Sequence, residues 1–176
     1  EAVSVTYKLY VSPDTGVDNW RELEAPRYAN FWSNNIDIKS LNVQNGTYKG
    51  EPYRYVVLRR TLLYPQKTGR LKIEPLTLDI SVQVPSNRRD FFGNLISSSV
   101  NKTVSAGSSF IDVKPLPIDN KPNDFSGAVG DFNFEIKSDK KELLIDEAFQ
   151  LSLIISGNGN FNLFEEPKIS LPSSLE

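Results

Sequence analysis

The segment AVSVTYKLYV at residues 2–11 alternates apolar and polar side chains from Val3 to Leu9, and this limits the fold more than any other feature of the chain. Val3, Val5, Tyr7, Leu9 and Val11 fall on one side of an extended backbone, and Ser4, Thr6 and Lys8 on the other. Successive side chains of a strand point to opposite faces, so the pattern predicts a strand with one face on a core and one in water. A helix would spread the same five apolar residues around its circumference. Further strands are predicted over 36–43, 53–64 and 109–113, and from Phe132, Phe134 and Ile136 onward. With 11 prolines and 10 glycines breaking the apolar runs into short pieces, the chain is expected to be all-β.

The run LYPQKTGRLKIEPLTLDISVQV, residues 63–84, carries a change of phase. Leu71 and Ile73 are apolar at odd positions, whereas Leu76, Leu78, Ile80, Val82 and Val84 are apolar at even ones, and the slip falls at Pro75. A one-residue shift would turn the apolar set outward, so the chain must bulge or change sheets there, as edge strands of β-sandwiches do. Tyr64-Pro65, Gly69, Leu71 and Ile73 are similar to the corner and strand found late in immunoglobulin-like domains. Two turns are predicted: SPDTGVDN at 12–19, from its proline, aspartates and glycine, and a hairpin turn at Asn45-Gly46.

Residues 85–108 are polar and read as a long loop, interrupted by Phe91-Phe92 and Leu95-Ile96. Packing of the two phenylalanines back onto the sandwich is the expected arrangement; capture of a partner at a loop tip is the alternative. Arg88, Arg89, Phe91 and Phe92 are the candidate partner-binding residues under that alternative. Trp20, Phe31 and Trp32, in a connection over 20–33, are secondary candidates, with core packing the expectation for the tryptophans.

From Lys114 to Gly130 the chain reads KPLPIDNKPNDFSGAVG, whose three prolines and two glycines have the composition of a linker. Pro115, Pro117, Phe125, Gly127 and Gly130 are the candidate junction residues, Phe125 as an interface plug and the two glycines as turn points. FSGAVG lacks the lysine and hydroxyl of a phosphate loop and leads into a predicted strand, so it offers no helix N-terminus to an anion.

Beyond the linker the beginning of the chain is repeated. EAFQLSLII at 147–155 aligns with EAVSVTYKL at 1–9, pairing Val3 with Phe149, Val5 with Leu151, Tyr7 with Leu153 and Leu9 with Ile155. Two tandem immunoglobulin-like β-sandwich domains are therefore expected: 1–113, with its first strand missing, a linker at 114–130, and 131–176 as an incomplete second domain. About 46 residues bury too little apolar surface to be comfortable alone, so its exposed edges should seek partners, either the first domain or another chain, edge-strand self-association included.

The residue inventory removes several chemistries. The chain holds no histidine and no cysteine, which excludes a Ser-His-Asp triad, a thiol nucleophile and His- or Cys-ligated metal within it. The acidic neighbours Asp146-Glu147 and Glu165-Glu166 would point to opposite faces of a strand, unlike a glycosidase pair. A net charge of −2 and isolated pairs Arg59-Arg60 and Arg88-Arg89 do not suit a nucleic-acid surface. No enzyme activity, cofactor or metal is expected.

The order SVTYKLYVS, NFWS, RRTLLYPQKTGRLKIEPL, VKPLP, PNDFSGAVGDF and SGNGNF resembles the BatD family of Bacteroides-type aerotolerance, or oxygen-tolerance, proteins. The resemblance implies an internal fragment of an envelope protein, with immunoglobulin-like repeats in the periplasm and an inner-membrane anchor elsewhere in the polypeptide. It implies von Willebrand factor A domain proteins and a MoxR-type AAA+ ATPase as neighbours, and a role in stress tolerance. It carries no catalytic residues. The function expected is thus a non-catalytic interaction scaffold. The alternative is a carbohydrate-binding module using the rings of Trp20, Tyr28, Trp32, Tyr53 and Tyr55.

Overall fold

The computed structural model describes residues 2–172, in which strand accounts for 55% and helix for 2%, an all-β fold of antiparallel sheets. The chain divides into two compact units, Val3–Pro115 and a second that begins at Leu116.

In the first unit, β1 (Val3–Val11) is followed by β2 (Gly16–Glu24), β3 (Phe31–Ile36), β4 (Gln44–Tyr48) and β5 (Glu51–Pro65). Next come β6 (Gly69–Ile73), β7 (Thr77–Arg89), β8 (Leu95–Ser105) and β9 (Ser109–Val113). One sheet is built on β5, with β1 along one side and β3 and β4 along the other; a second sheet has the order β2-β7-β8; β6 pairs with β9. Inward-facing residues of the two larger sheets meet in a β-sandwich-like core. Tyr7 of β1 lies among Leu76 and the β7 residues Leu78, Ile80 and Val82, and Val5, Leu9, Val17, Trp20, Leu58 and Val104 pack around them. Each such aliphatic side chain removed from water contributes about 1.5–3 kcal/mol, which ordering of the chain largely offsets.

The phase slip at Pro75 is a change of sheet. Leu71 and Ile73 are buried in β6, beside β9, and three residues later Leu76 and Leu78 are buried with β7 in the other sheet. The Tyr7 hydroxyl fastens this crossing by donating to the Glu74 carbonyl at 2.6 Å. Burial, and then the neighbouring Tyr28, push the Tyr7 phenol far above its usual range, so it remains a neutral donor.

β5 has its own irregularity. Tyr7 pairs with Arg59 and Lys8 with Val57, leaving Leu58 as an extra residue. After it, Thr61 and Leu63 share the face of Val5 and Val3; before it, Val56 and Arg54 lie opposite Leu9 and Val11. This explains why β5 has apolar residues in both phases. Thr61 is a fully buried polar residue whose hydroxyl donates to Asn35 Oδ1 at 2.8 Å and accepts from Tyr28 at 3.4 Å. Glu22 of β2 accepts from Arg59 of β5 at 2.9 Å and joins the two sheets at their margin.

Four local expectations are corrected. Residues 37–43 are irregular, and the strand predicted over 36–43 instead occupies Phe31–Ile36. Trp20 lies in β2 and Phe31 and Trp32 in β3, so 20–33 is mostly strand; the preceding turn is only Ser12–Thr15, closed by Thr15 N donating to Ser12 O at 3.1 Å. The hairpin turn is at Lys49-Gly50, with φ of 52° and 88°, the pair of positive values that a two-residue hairpin of this twist requires. Asn45-Gly46 sits inside β4, where a Cβ on Gly46 would come within 2.9 Å of the Tyr55 ring, so this glycine makes room for an aromatic ring and does not turn the chain. Finally, most of 85–108 is strand: β7 and β8 form a hairpin with its turn at 90–94.

The second unit contains β10 (Gly130–Ser138) and β11 (Leu151–Gly159), an antiparallel ribbon, followed by a single 3-10 turn at Phe161–Leu163. Phe132, Phe161 and Phe164 cluster at one end, with ring centroids 5.1 and 5.4 Å from Phe132. The FSGAVG stretch is tied to the residues after β11: Asn160 Oδ1 accepts from Val129 N at 2.7 Å, and its Nδ2 donates to Gly127 O at 2.8 Å. At Gly130, with φ of 151°, a Cβ would collide with the Asn158 carbonyl, so glycine is required for the two strands to approach.

Candidate interaction site

β2 accompanies β7 only as far as Gly16 opposite Gln83. Beyond that point β7 and β8, among the described residues, pair only with each other, and the ribbon extends roughly 15 Å farther at about 3.3 Å per residue. Its pairing runs from Pro85 opposite Ser97 to Arg89 opposite Leu95, so three residues of β7 face one of β8. Ser86 holds this bulge, donating to the Ile96 carbonyl at 2.5 Å and accepting from Arg88 N at 3.2 Å.

The turn at the tip is organised by Asp90. Its Oδ1 accepts from Phe92 N at 2.9 Å and Asn94 N at 2.8 Å, and its Oδ2 accepts from Asn94 Nδ2 at 3.1 Å. Gly93 N donates to the Asp90 carbonyl, Asp90 N donates to Asn94 O, and Arg89 Nη1 donates to Gly93 O at 2.6 Å. Hydrogen bonds from Asn94, first its backbone and then its side chain, hold the Asp90 carboxyl below its usual range.

With the turn's polar groups engaged internally, both rings are left to solvent. Phe91 is 98% exposed and Phe92 84%, stacked edge to face at 5.6 Å. The expectation that they pack back onto the sandwich is corrected: the bulged two-stranded arm carries them past the surface that would have received them. Arg88 and Arg89 are exposed beside them, so the four candidate residues lie together at the end of one hairpin. Asp90 and Asn94, which set its shape, are not among the sequence candidates. The signal was present as an aspartate followed by Gly93-Asn94, the composition of a tight turn closed by a side chain.

The junction residues lie elsewhere. Pro115 and Pro117 are exposed and outside regular structure, and Phe125 is half-buried under the Lys121 ammonium, 5.0 Å from the ring centre. Gly127, with φ of 94°, and Gly130 belong to the Asn160-bonded segment described above.

The five rings singled out for sugar binding do not share a platform. Trp20 and Tyr28 pack on the core, Trp32 meets Tyr64 edge-on at 5.4 Å, and Tyr53 meets Tyr48 edge-on at 5.7 Å. Tyr55 joins Tyr10 at 5.2 Å with the planes tilted by 34°. A cleft of about 430 Å³ opens between β1, β2 and β5, lined by Val11, Val17, Trp20, Leu41, Val43 and Arg54. Arg54 serves there as a clamp: Nη2 donates to Thr15 O at 3.0 Å, holding the Ser12–Thr15 turn.

Among the described residues no helix is long and apolar enough to cross a membrane. The chain matches no family model, no curated protein and no solved structure.

Proposed function

We propose that the chain is a non-catalytic interaction module of a BatD-like envelope protein, built from immunoglobulin-like domains, which meets its partners through the tip of the β7–β8 arm. One observation carries this reading: two adjacent phenylalanines stand almost wholly in water on a turn whose polar groups are bonded to one another. Exposed aromatic pairs flanked by arginine have the make-up of interface hot spots, and a turn fixed before contact loses little entropy on binding. The sequence resemblance supplies the setting: a periplasmic location on the inner membrane, von Willebrand factor A domain proteins with a MoxR-type ATPase as partners, and stress tolerance as the process served.

A photo-crosslinking residue in place of Phe92, in the protein in its own envelope, tests the proposal. Protein adducts are expected, together with a loss of partner capture of about tenfold or more in the Phe91→Ser/Phe92→Ser double variant. Partner capture unchanged by that variant would overturn the assignment to the tip.

A further inference from the structure

Arg54 places a charge where the strand pattern calls for an apolar residue. It lies directly opposite Val11 of β1, and residues directly opposite on paired strands share a face, here that of Leu9 and Val56. Inward-pointing charge blunts the edge strands of many sheets. That reason does not apply to Arg54, because β5 is bonded at this point to β1 on one side and to Asn45 of β4 on the other. The Arg54 side chain lines the cleft between β1, β2 and β5, whose other walls include Val11, Val17, Trp20, Leu41 and Val43.

The guanidinium is short of acceptors. Nη2 donates to Thr15 O at 3.0 Å and reaches Ser12 O at 3.5 Å, while Nε is buried with no acceptor among the described residues. Arg59, on the same strand, also has a buried, unbonded Nε, but its Nη2 meets both carboxylate oxygens of Glu22, at 3.1 and 2.9 Å. The ion pairs among the described residues are those of Arg21, Arg59, Lys137 and Lys140, so Arg54 has two carbonyls and no counter-charge. Removing a cation from water is costly unless an anion accompanies it, and the planar fork of a guanidinium matches the two oxygens of a carboxylate.

We infer that this cleft binds a small carboxylate with one apolar tail, a fatty carboxylate, its head on the Arg54 guanidinium and its tail against Val17, Trp20 and the exposed Leu41 and Val43. Charge complementarity selects the head, since an anion supplies the acceptor that Arg54 lacks. The walls select the tail: a peptide would bring N–H and C=O groups that valine, leucine and tryptophan side chains leave without partners. At about 430 Å³ the cleft is near the lower end of the roughly 300–1,000 Å³ of ligand pockets, which suits one chain and is too small for a two-chained lipid. All of its walls come from within residues 9–56, and none of them belongs to the hairpin tip.

The probe is decanoate, titrated into the full chain carrying Trp32→Phe, which leaves Trp20 in the cleft as the one tryptophan to report binding. A saturable change in Trp20 fluorescence is expected, with decanol and decyltrimethylammonium bound about tenfold or more weakly. Arg54→Gln should weaken decanoate by about tenfold or more and leave decanol as it was. Because that change also loosens the Ser12–Thr15 turn, Val43→Glu is the second variant: at this exposed position it gives Arg54 a carboxylate from the protein itself, and decanoate should weaken likewise. No saturable binding of decanoate, or decanol bound as tightly, would overturn the inference. So would unchanged decanoate affinity in folded Arg54→Gln or Val43→Glu protein. The Phe91→Ser/Phe92→Ser variant should bind decanoate as the parent does, which separates failure of this site from failure of the tip.

Discussion

β1 and β11 carry one motif in two settings. Both are nine-residue strands, with Val3, Val5, Tyr7 and Leu9 on one face of β1 and Leu151, Leu153 and Ile155 on one face of β11. β1 is joined by β5, more than forty residues away, and faces the second sheet, so Tyr7 is only 7% exposed. β11 is joined by β10, its neighbour in sequence, in a two-stranded ribbon where Phe134 and Ile136 are each 56% exposed. The alternation thus determines which residues share a face; how far that face is buried depends on strands supplied from elsewhere in the chain.

The contrast is testable at several magnitudes. The largest effect is expected at Leu63, which is fully buried in β5 between Val3 and Ser33. Leu63→Ala should cost about 2–5 kcal/mol, and Ile136→Ala in the ribbon under about 1 kcal/mol, by denaturant titration. Equal losses would erase the distinction between the two regions. Thr61→Val comes next at about 1–3 kcal/mol, because it leaves Asn35 Oδ1 and the Tyr28 hydroxyl without their partner in the protein. In the second unit, Asn160→Ala removes the bonds to Val129 N and Gly127 O, and exchange at the Val129 amide should accelerate by about tenfold while β1 is unaffected. The smallest effect is expected at the tip, where Phe91→Ser/Phe92→Ser should change stability by less than about 0.5 kcal/mol.

The tip also has a pH signature. The Asp90 carboxyl titrates below its usual range, so its ionised form favours the ordered turn. That contribution is present above the ordinary carboxyl pKa and is lost as the pH falls through the lowered value. Amide exchange at Phe92 and Asn94, corrected for intrinsic rates, should stay protected until that lower pH and then rise. Loss of protection already at an ordinary carboxyl pKa would show that Asp90 does not hold the turn.

Much of the architecture was legible from local pattern. The alternation in 2–11 and the slip at Pro75 identified the inward residues of β1, β6 and β7, because the period of a strand is a property of the backbone. The hairpin turn was misplaced because the Asn45-Gly46 pair is a good turn former, yet the Tyr55 ring needed the space beside Gly46. The β7–β8 arm has the sequence of a loop because both its faces are wet, and without a buried face a strand loses its alternation. Arg88, Arg89, Phe91 and Phe92 could be named as a group; that they stand at a projecting tip depended on where β2 stops pairing.

By itself, then, the amino-acid order determined an all-β chain, a duplicated strand motif, the inward residues of its best strands and the absence of histidine and thiol chemistry. These follow from single residues or from neighbours two apart. Only the tertiary structure decided which strand lies beside which, that the Asn45-Gly46 pair lies inside a strand, and that two phenylalanines remain in water. Pairing and burial join residues tens of positions apart, and the free energy of those contacts is set by the surfaces that meet.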